Sequence, residues 1–209
     1  MAYTQTMPIT YGTAGNDSIS GGGITAATTG VLYSTATGVD GLDSTGAVRI
    51  YGGAGNDTLY GTVHSDTLVG GAGTDLLRGG AACDQLYGNA GSDQFFFKAG
   101  DLGTTYASGT VVTASMWNPA TGGDMIMDFQ GAGGYFATNN DFVSFNGFGT
   151  AAQGAYVEYL GVYAPMPSVA VYAVHAAPVK GGGINLFTVQ LDGGASTHLV
   201  SGDYQFNAN

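Results

Sequence analysis

GGAGNDTLY (residues 52–60), GTVHSDTLV (61–69), GGAGTDLLR (70–78), GGAACDQLY (79–87) and GNAGSDQFF (88–96) follow one another without a gap. The sixth place of each nonapeptide is aspartate (Asp57, Asp66, Asp75, Asp84, Asp93), and the eighth is large and apolar (Leu59, Leu68, Leu77, Leu86, Phe95). One glycine-rich loop would carry little weight; phased tandem copies specify a repeat architecture. Glycine at the early places permits positive φ, so the chain can turn tightly with carbonyls pointing inward. The last three places, as in Thr58-Leu59-Tyr60, suit a very short strand with its middle residue facing in and its neighbours facing out. Turn, strand, turn, strand makes one flattened coil of two units, and coils stack about 4.8 Å apart as parallel strands.

Units of like parity then share an edge, with Asp57, Asp75 and Asp93 on one and Asp66 and Asp84 on the other. A column of carboxylates repels itself unless something positive lies between its members. Hard oxygen donors, both carboxylate and carbonyl, select Ca2+, which takes about six to eight such ligands in flexible geometry. The other reading of the same loops is a set of Asx-turns that hold no ion. Of 15 acidic residues only Glu158 is glutamate, in keeping with tight loops that need a short side chain.

This pattern resembles the RTX nonapeptide family, GGxGxDxUx with U a large apolar residue, closely over residues 52–97 and once more in GTAGNDSIS at 12–20. The resemblance implies a calcium-bound parallel β-roll, a β-solenoid, on a secreted bacterial protein exported by type I secretion machinery. It further implies ions held between a loop and the loop one coil later. The earlier loop gives carbonyls from places two and four plus its aspartate, and the later one gives carbonyls from places one and three plus its own. Carried onto this chain, one ion falls on Gly53, Gly55, Asp57, Gly70, Ala72 and Asp75. Another falls on Gly71, Gly73, Asp75, Gly88, Ala90 and Asp93. On the opposite edge the set is Thr62, His64, Asp66, Gly79, Ala81 and Asp84. There the chain departs from the pattern, because place four is His64 and then Ala82; a side chain disfavours positive φ, so a weaker site is expected.

The flanks carry fainter versions of the same phrases. Asp17 sits in an isolated loop with no in-phase partner eighteen residues later, which reads as a decayed repeat or as a segment that stacks on a neighbouring subunit and completes a site in trans. Val48 holds the sixth place of residues 43–51, so that coil lacks a ligand, while Asp40 and Asp43 read as turn residues. After the repeats, GGDMIMDF (122–129) and NNDFVSFNGF (139–148) resemble the segment that closes an RTX roll, making Asp101, Asp124 and Asp128 candidates for a capping ion or plain surface acids beside strands. From Tyr156 onward YVEYLGVY, SVAVYAVHA, INLFTVQLD and THLVSGDYQF alternate as antiparallel strands do. His175 and His198 read as strand residues. The chain therefore reads as all-β: residues 1–51 an N-terminal β segment, 52–97 the roll, and 98–209 a C-terminal antiparallel β cap whose tail resembles a type I secretion signal.

Composition limits the function. Only 9% of the 209 residues are charged while 44% are hydrophobic, and the net charge of -11 comes mostly from aspartates. Roughly three to five divalent ions would cancel about six to ten of those charges and so favour folding and association. Four basic residues, Arg49, Arg78, Lys98 and Lys180, argue against a nucleic-acid partner. The single Cys83 excludes an intrachain disulfide and reads as a small filler. MAYTQTMPIT shows no cleavable signal peptide, and no apolar run is long enough to span a membrane. No HExxH, GxSxG, Walker loop or CxxC is present, so no enzyme and no catalytic residue is expected. The expected function is a secreted, extracellular or cell-surface calcium-binding structural protein that self-assembles as a homo-oligomer or polymer in a surface layer, filament or biofilm matrix. The alternatives are the C-terminal calcium-folding and secretion module of a larger adhesin or enzyme, and an adhesin whose tyrosines meet a cell-surface glycan.

Overall fold

Fifteen strands and three short 3-10 turns make up the described part of the chain, which in the computed structural model is residues 9–20, 47–119, 123–131, 140–191 and 198–207. The strands are β1 (Ile9–Tyr11), β2 (Ser18–Ser20), β3 (Arg49–Ala54), β4 (Thr58–Tyr60), β5 (Thr67–Ala72), β6 (Leu76–Arg78), β7 (Gln85–Ala90), β8 (Gln94–Lys98), β9 (Thr105–Tyr106), β10 (Met125–Phe129), β11 (Phe142–Asn146), β12 (Tyr156–Tyr163), β13 (Met166–His175), β14 (Ile184–Leu191) and β15 (Tyr204–Asn207). Asp40 and Asp43 lie outside the described residues. Among those described, no helix is long and apolar enough to cross a membrane.

The nonapeptide period sends alternate units to two different sheets. One has the order β1-β3-β5-β7-β10-β14-β13-β12, with β9 also on β14; the other runs β2-β4-β6-β8-β11-β15. Through the repeats every pairing is parallel and steps by one coil, as in Leu59↔Leu77 and Leu68↔Leu86. The short strands β4 and β6 have the three-residue length expected of the last three places. Their counterparts β3, β5 and β7 are six residues long, because pairing resumes past place one and joins Gly53 to Gly71 and Ala54 to Ala72.

The eighth places form the core. Ile19, Leu59, Leu77, Phe95 and Val143 lie along one sheet, Ile50, Leu68, Leu86, Ile126 and Val189 along the other, and all are buried in a single cluster. Each contributes about 1.5–3 kcal/mol by leaving water. Toward the C-terminus the ladder widens into aromatic packing, with Phe145 ring-stacked between Phe97 at 5.9 Å and Phe206 at 5.2 Å. A second cluster covers the outer face of β13 and β14: Trp117 packs with Val171, Ala173 and Leu186, and its indole N–H donates to the Gly123 carbonyl at 3.1 Å.

Two features differ from the sequence reading. The C-terminal region is antiparallel only in part: β12, β13 and β14 pair antiparallel, whereas β10 lies parallel between β7 and β14 and β11 parallel between β8 and β15. The reason is spelled in the strands, since Asp124-Met125-Ile126 and Asp141-Phe142-Val143 repeat the spacing of aspartate and apolar residue found in the nonapeptides. The N-terminal loop also has a partner within its own chain. Ser18, Ile19 and Ser20 pair in register with Thr58, Leu59 and Tyr60, so the rung is complete in cis and the interval is forty residues instead of eighteen. The same two sheets thus contain strands from all three sequence segments.

Candidate metal centre

Each aspartate at place six after Asp17 is held by the coil before it. Its Oδ1 accepts the backbone N–H of the sixth-place residue one coil earlier, which gives a ladder from Asp17 N–H to Asp57 (2.7 Å), Asp57 to Asp75 (2.7 Å), Asp75 to Asp93 (2.9 Å) and Asp93 to Asp141 (3.0 Å). The opposite edge runs from Val48 N–H to Asp66 (2.7 Å), Asp66 to Asp84 (2.7 Å) and Asp84 to Asp124 (3.0 Å). Val48 supplies the N–H and no carboxylate, as its place in a ligand-free coil requires. The ladder consumes one oxygen of every aspartate after Asp17 and leaves the other for its own loop.

Those second oxygens are what a cation would meet. Asp57, Asp75, Asp93, Asp84 and Asp124 each keep Oδ2 buried, with no hydrogen-bond partner among the described residues, and Asp17 keeps Oδ1. A buried carboxylate oxygen without a donor costs several kcal/mol unless it is protonated or meets a cation. Burial accordingly pushes the carboxyls up, to about 6 for Asp57, about 7 for Asp93 and about 8 for Asp84, with neighbouring aspartates adding to each. Asp75 and Asp66 are raised by the same cause, and Asp124 is raised well above the usual range by burial and then by the charge of Asp84. No three Asp, Glu, His or Cys side chains converge among the described residues. A cation here would therefore be held by two carboxylates and backbone carbonyls, a hard oxygen set that fits Ca2+ and disfavours softer metals.

The glycines serve two separate needs. At places two and four Gly53, Gly55, Gly71 and Gly73 have φ between 112° and 142°, which turns their peptide planes. At place one Gly70, Gly79 and Gly88 have no positive φ; a Cβ there would overlap Oδ2 of Asp75, Asp84 or Asp93. The carbonyls of Ala72 and Ala90 accept N–H groups from Gly55 and Gly73 at 2.8 Å, and each has a second lone pair for an ion. Ala82 takes φ 81°, but His64 takes no positive φ and lies exposed: its loop adopts another backbone path. Thr62, whose carbonyl accepts the Ala81 N–H at 3.2 Å, donates its own N–H to Asp66 Oδ2.

The capping acids separate. Asp124 continues the second ladder. Asp101 makes a bidentate pair with Arg78, Nε to Oδ2 at 2.8 Å and the second nitrogen to Oδ1 at 2.9 Å, so it is neutralised within the chain. Asp128 accepts N–H groups from Gly88 (2.9 Å) and Asn89 (2.8 Å). Sequence reasoning passed over Asp141, which ends the first ladder; Gln130 N–H satisfies its Oδ2 at 2.8 Å. Its signal was the spacing of Asp141 to Val143. Away from the ladders, His175 Nε2 lies 2.8 Å from Glu158 and stacks on Tyr156 with ring centres 4.1 Å apart. Burial pushes the Cys83 thiol up to about 12, and it donates to the Gly123 carbonyl.

The profile of the RTX calcium-binding nonapeptide repeat matches the chain in four copies, over residues 11–23, 42–68 and 60–95. A search of curated proteins returned no match. The matched segments contain Asp17, Asp57, Asp66, Asp75, Asp84 and Asp93 and stop before Asp124 and Asp141. Two ladders of buried aspartates with inward oxygens, spaced by this nonapeptide, identify the chain as one that carries RTX repeats, the repeats that bind calcium.

Proposed function

We propose that the chain is a secreted bacterial structural protein, exported by type I machinery, that folds as a calcium-bound parallel β-roll and self-assembles outside the cell. The observation that carries this reading is the set of buried, donorless aspartate oxygens at the repeat loops, which makes the calcium-free fold electrostatically costly. RTX repeats bind calcium, which supplies the missing charge.

Self-assembly is supported by where the charge lies. Asp17, Asp57, Asp66, Asp75, Asp84, Asp93, Asp101, Asp124, Asp141 and Asp203 are all buried, out of 15 acidic residues in the chain. Once calcium neutralises the interior, little surface charge remains to oppose contact between copies. Tyr11, Tyr156 and Val162 add exposed apolar area, at 60%, 50% and 48%. Such a protein would form a surface layer, filament or biofilm matrix.

The test is to strip the purified chain with chelator, then titrate in calcium while following circular dichroism, hydrodynamic radius, light scattering and negative-stain images. Folding followed by ordered polymers is expected. A folded, stable monomer would refute assembly and leave a calcium-folding module of a larger adhesin or enzyme. Glycan binding without polymers would favour an adhesin. Unchanged dichroism and radius would refute the calcium reading itself.

A further inference from the structure

The six loops with a sixth-place aspartate fall into two classes, and place two decides which. In the loops ending at Asp57, Asp75, Asp84 and Asp93, place two is Gly53, Gly71, Gly80 or Asn89, with φ of 112°, 121°, 112° and 66°. Place four is also positive, at Gly55, Gly73, Ala82 and Gly91. In all four loops Oδ2 of the aspartate is buried without a donor among the described residues.

The loops ending at Asp17 and Asp66 have threonine at place two and no positive φ at place two or four. A β-branched residue is a genuine outlier at positive φ, so the peptide plane stays unflipped. Its N–H then points into the loop and closes on the loop's own carboxylate: Thr13 N–H donates to Asp17 Oδ2 at 2.6 Å, and Thr62 N–H to Asp66 Oδ2. The hydroxyls reinforce the closure, Thr13 Oγ1 on Asp17 at 3.0 Å and Thr62 Oγ1 on Asp66 at 3.2 Å, while accepting the N–H of Gly15 and His64. With Val48 N–H on Oδ1, both oxygens of Asp66 are engaged by protein donors. The second edge therefore has an earlier carboxylate with no donor-free oxygen, unlike Asp57 and Asp75 on the first.

It gains a later one. Asp84 and Asp124 are both fully buried, adjacent through the Asp84 N–H bond to Asp124 Oδ1, and each retains an Oδ2 without a donor among the described residues. The loop before Asp84 belongs to the open class, and it keeps Ala82 at φ 81°, a strained conformation that persists where the surroundings require it. Cys83 Sγ is turned to the Gly123 carbonyl, so the donors left are hard oxygens.

We propose that the second edge holds a calcium ion between Asp84 and Asp124, one coil later than the repeat pattern places it, because Thr62 closes the preceding loop on Asp66. The site joins the last repeat of that edge to a strand beyond the matched repeats, and it rests on the calcium reading above.

Equilibrium dialysis of the full chain against calcium, with dichroism at saturation as the check on folding, tests it. Asp124→Asn should bind one ion fewer per chain than wild type, and Asp66→Asn should bind the same number. Thr62→Gly keeps every carboxylate and frees Asp66, so it should gain one ion. Wild-type stoichiometry in Asp124→Asn, a lost ion in Asp66→Asn, or no gain in Thr62→Gly would each overturn the proposal while leaving calcium binding intact. If Asp124→Asn fails to fold, Asp66→Asn and Thr62→Gly decide the matter alone. A wild-type chain that takes up no calcium would sink the reading beneath it as well.

Discussion

Asp75 is the middle member of the first ladder, and replacing it by asparagine separates its hydrogen-bonding role from its charge. Its Oδ1 accepts Asp57 N–H at 2.7 Å, its own N–H donates to Asp93 at 2.9 Å, and its Oδ2 is buried without a donor among the described residues. Asparagine keeps both backbone contacts. Without calcium, a bond to a charged acceptor of about 1.5–3 kcal/mol becomes a neutral one of about 0.5–1.5 kcal/mol. Removal of an uncompensated buried charge offsets that loss, so the chelated variant should be no less stable than wild type. With calcium the sign reverses, because Asp75 faces a coil on either side and would serve two ions. At a concentration 100 times its Kd each ion stabilises by about 2.7 kcal/mol, and weakening both sites a hundredfold removes about 4.6 kcal/mol in total. For a chain of this length that corresponds to a fall in Tm of roughly 9–18 °C. Asp57→Asn should lose a comparable amount, since Asp57 also has an open carboxylate on either side, Asp17 with its donorless Oδ1 and Asp75 with its Oδ2. Thermal unfolding of both variants in chelator and in calcium measures all four values. Equal losses in the two media would refute the reasoning.

The pH dependence should also change sign with calcium. Aspartates whose folded pKa values stand above the ordinary 3.8 favour the fold when protonated; that stability is complete below the unfolded value and is lost as pH rises through about 6 at Asp57, about 7 at Asp93 and about 8 at Asp84 and Asp141. Each unit of upward shift makes the ionised fold about 1.4 kcal/mol less stable. Urea midpoints in chelator should therefore fall from mildly acid to mildly alkaline pH, while midpoints in saturating calcium should rise, since the ion binds the ionised form; a chelated midpoint that rises over the same window contradicts the buried-charge argument. Gly71→Ala forces a side chain onto φ 121° and its Cβ onto the Gly53 carbonyl, so it should cost at least about 2 kcal/mol in chelator and calcium alike. A neutral result in calcium would mean that adjacent coils are not held in the close register described.

The repeats were legible because their information is local and periodic. Leu59, Leu77 and Phe95 recur at twice the nonapeptide length, so one assumption about strand direction places all three on one sheet and their aspartates on one edge. The N-terminal rung was not legible, because residues 21–57 separate it from β4 and break the phase; Ile19 finds Leu59 by apolar fit and not by count. The strands β10 and β11 are single copies of the aspartate and apolar spacing, each without a phased neighbour, and a single copy cannot be distinguished from a surface acid beside a strand. Asp128 and Asp124 look alike in sequence only four residues apart. Backbone donors from Gly88 and Asn89 satisfy the first, while the second keeps an oxygen buried without a donor among the described residues.

Place two shows what a matched motif leaves open. GTAGND and GTVHSD both begin with Gly-Thr, yet the visible irregularity was His64 at place four, because histidine in a glycine position suggests strain. No strain is present there, since His64 never adopts positive φ. The residue that differs is threonine, whose stiffness fixes the preceding peptide plane and so aims an N–H at the loop's own carboxylate. A family pattern records which residue types recur at each place; whether a loop is open or closed depends on the direction of one N–H, which follows from φ at that place. Glycine and asparagine permit the open path and threonine excludes it, so among these six aspartate-bearing loops the φ at place two separates the two backbone paths.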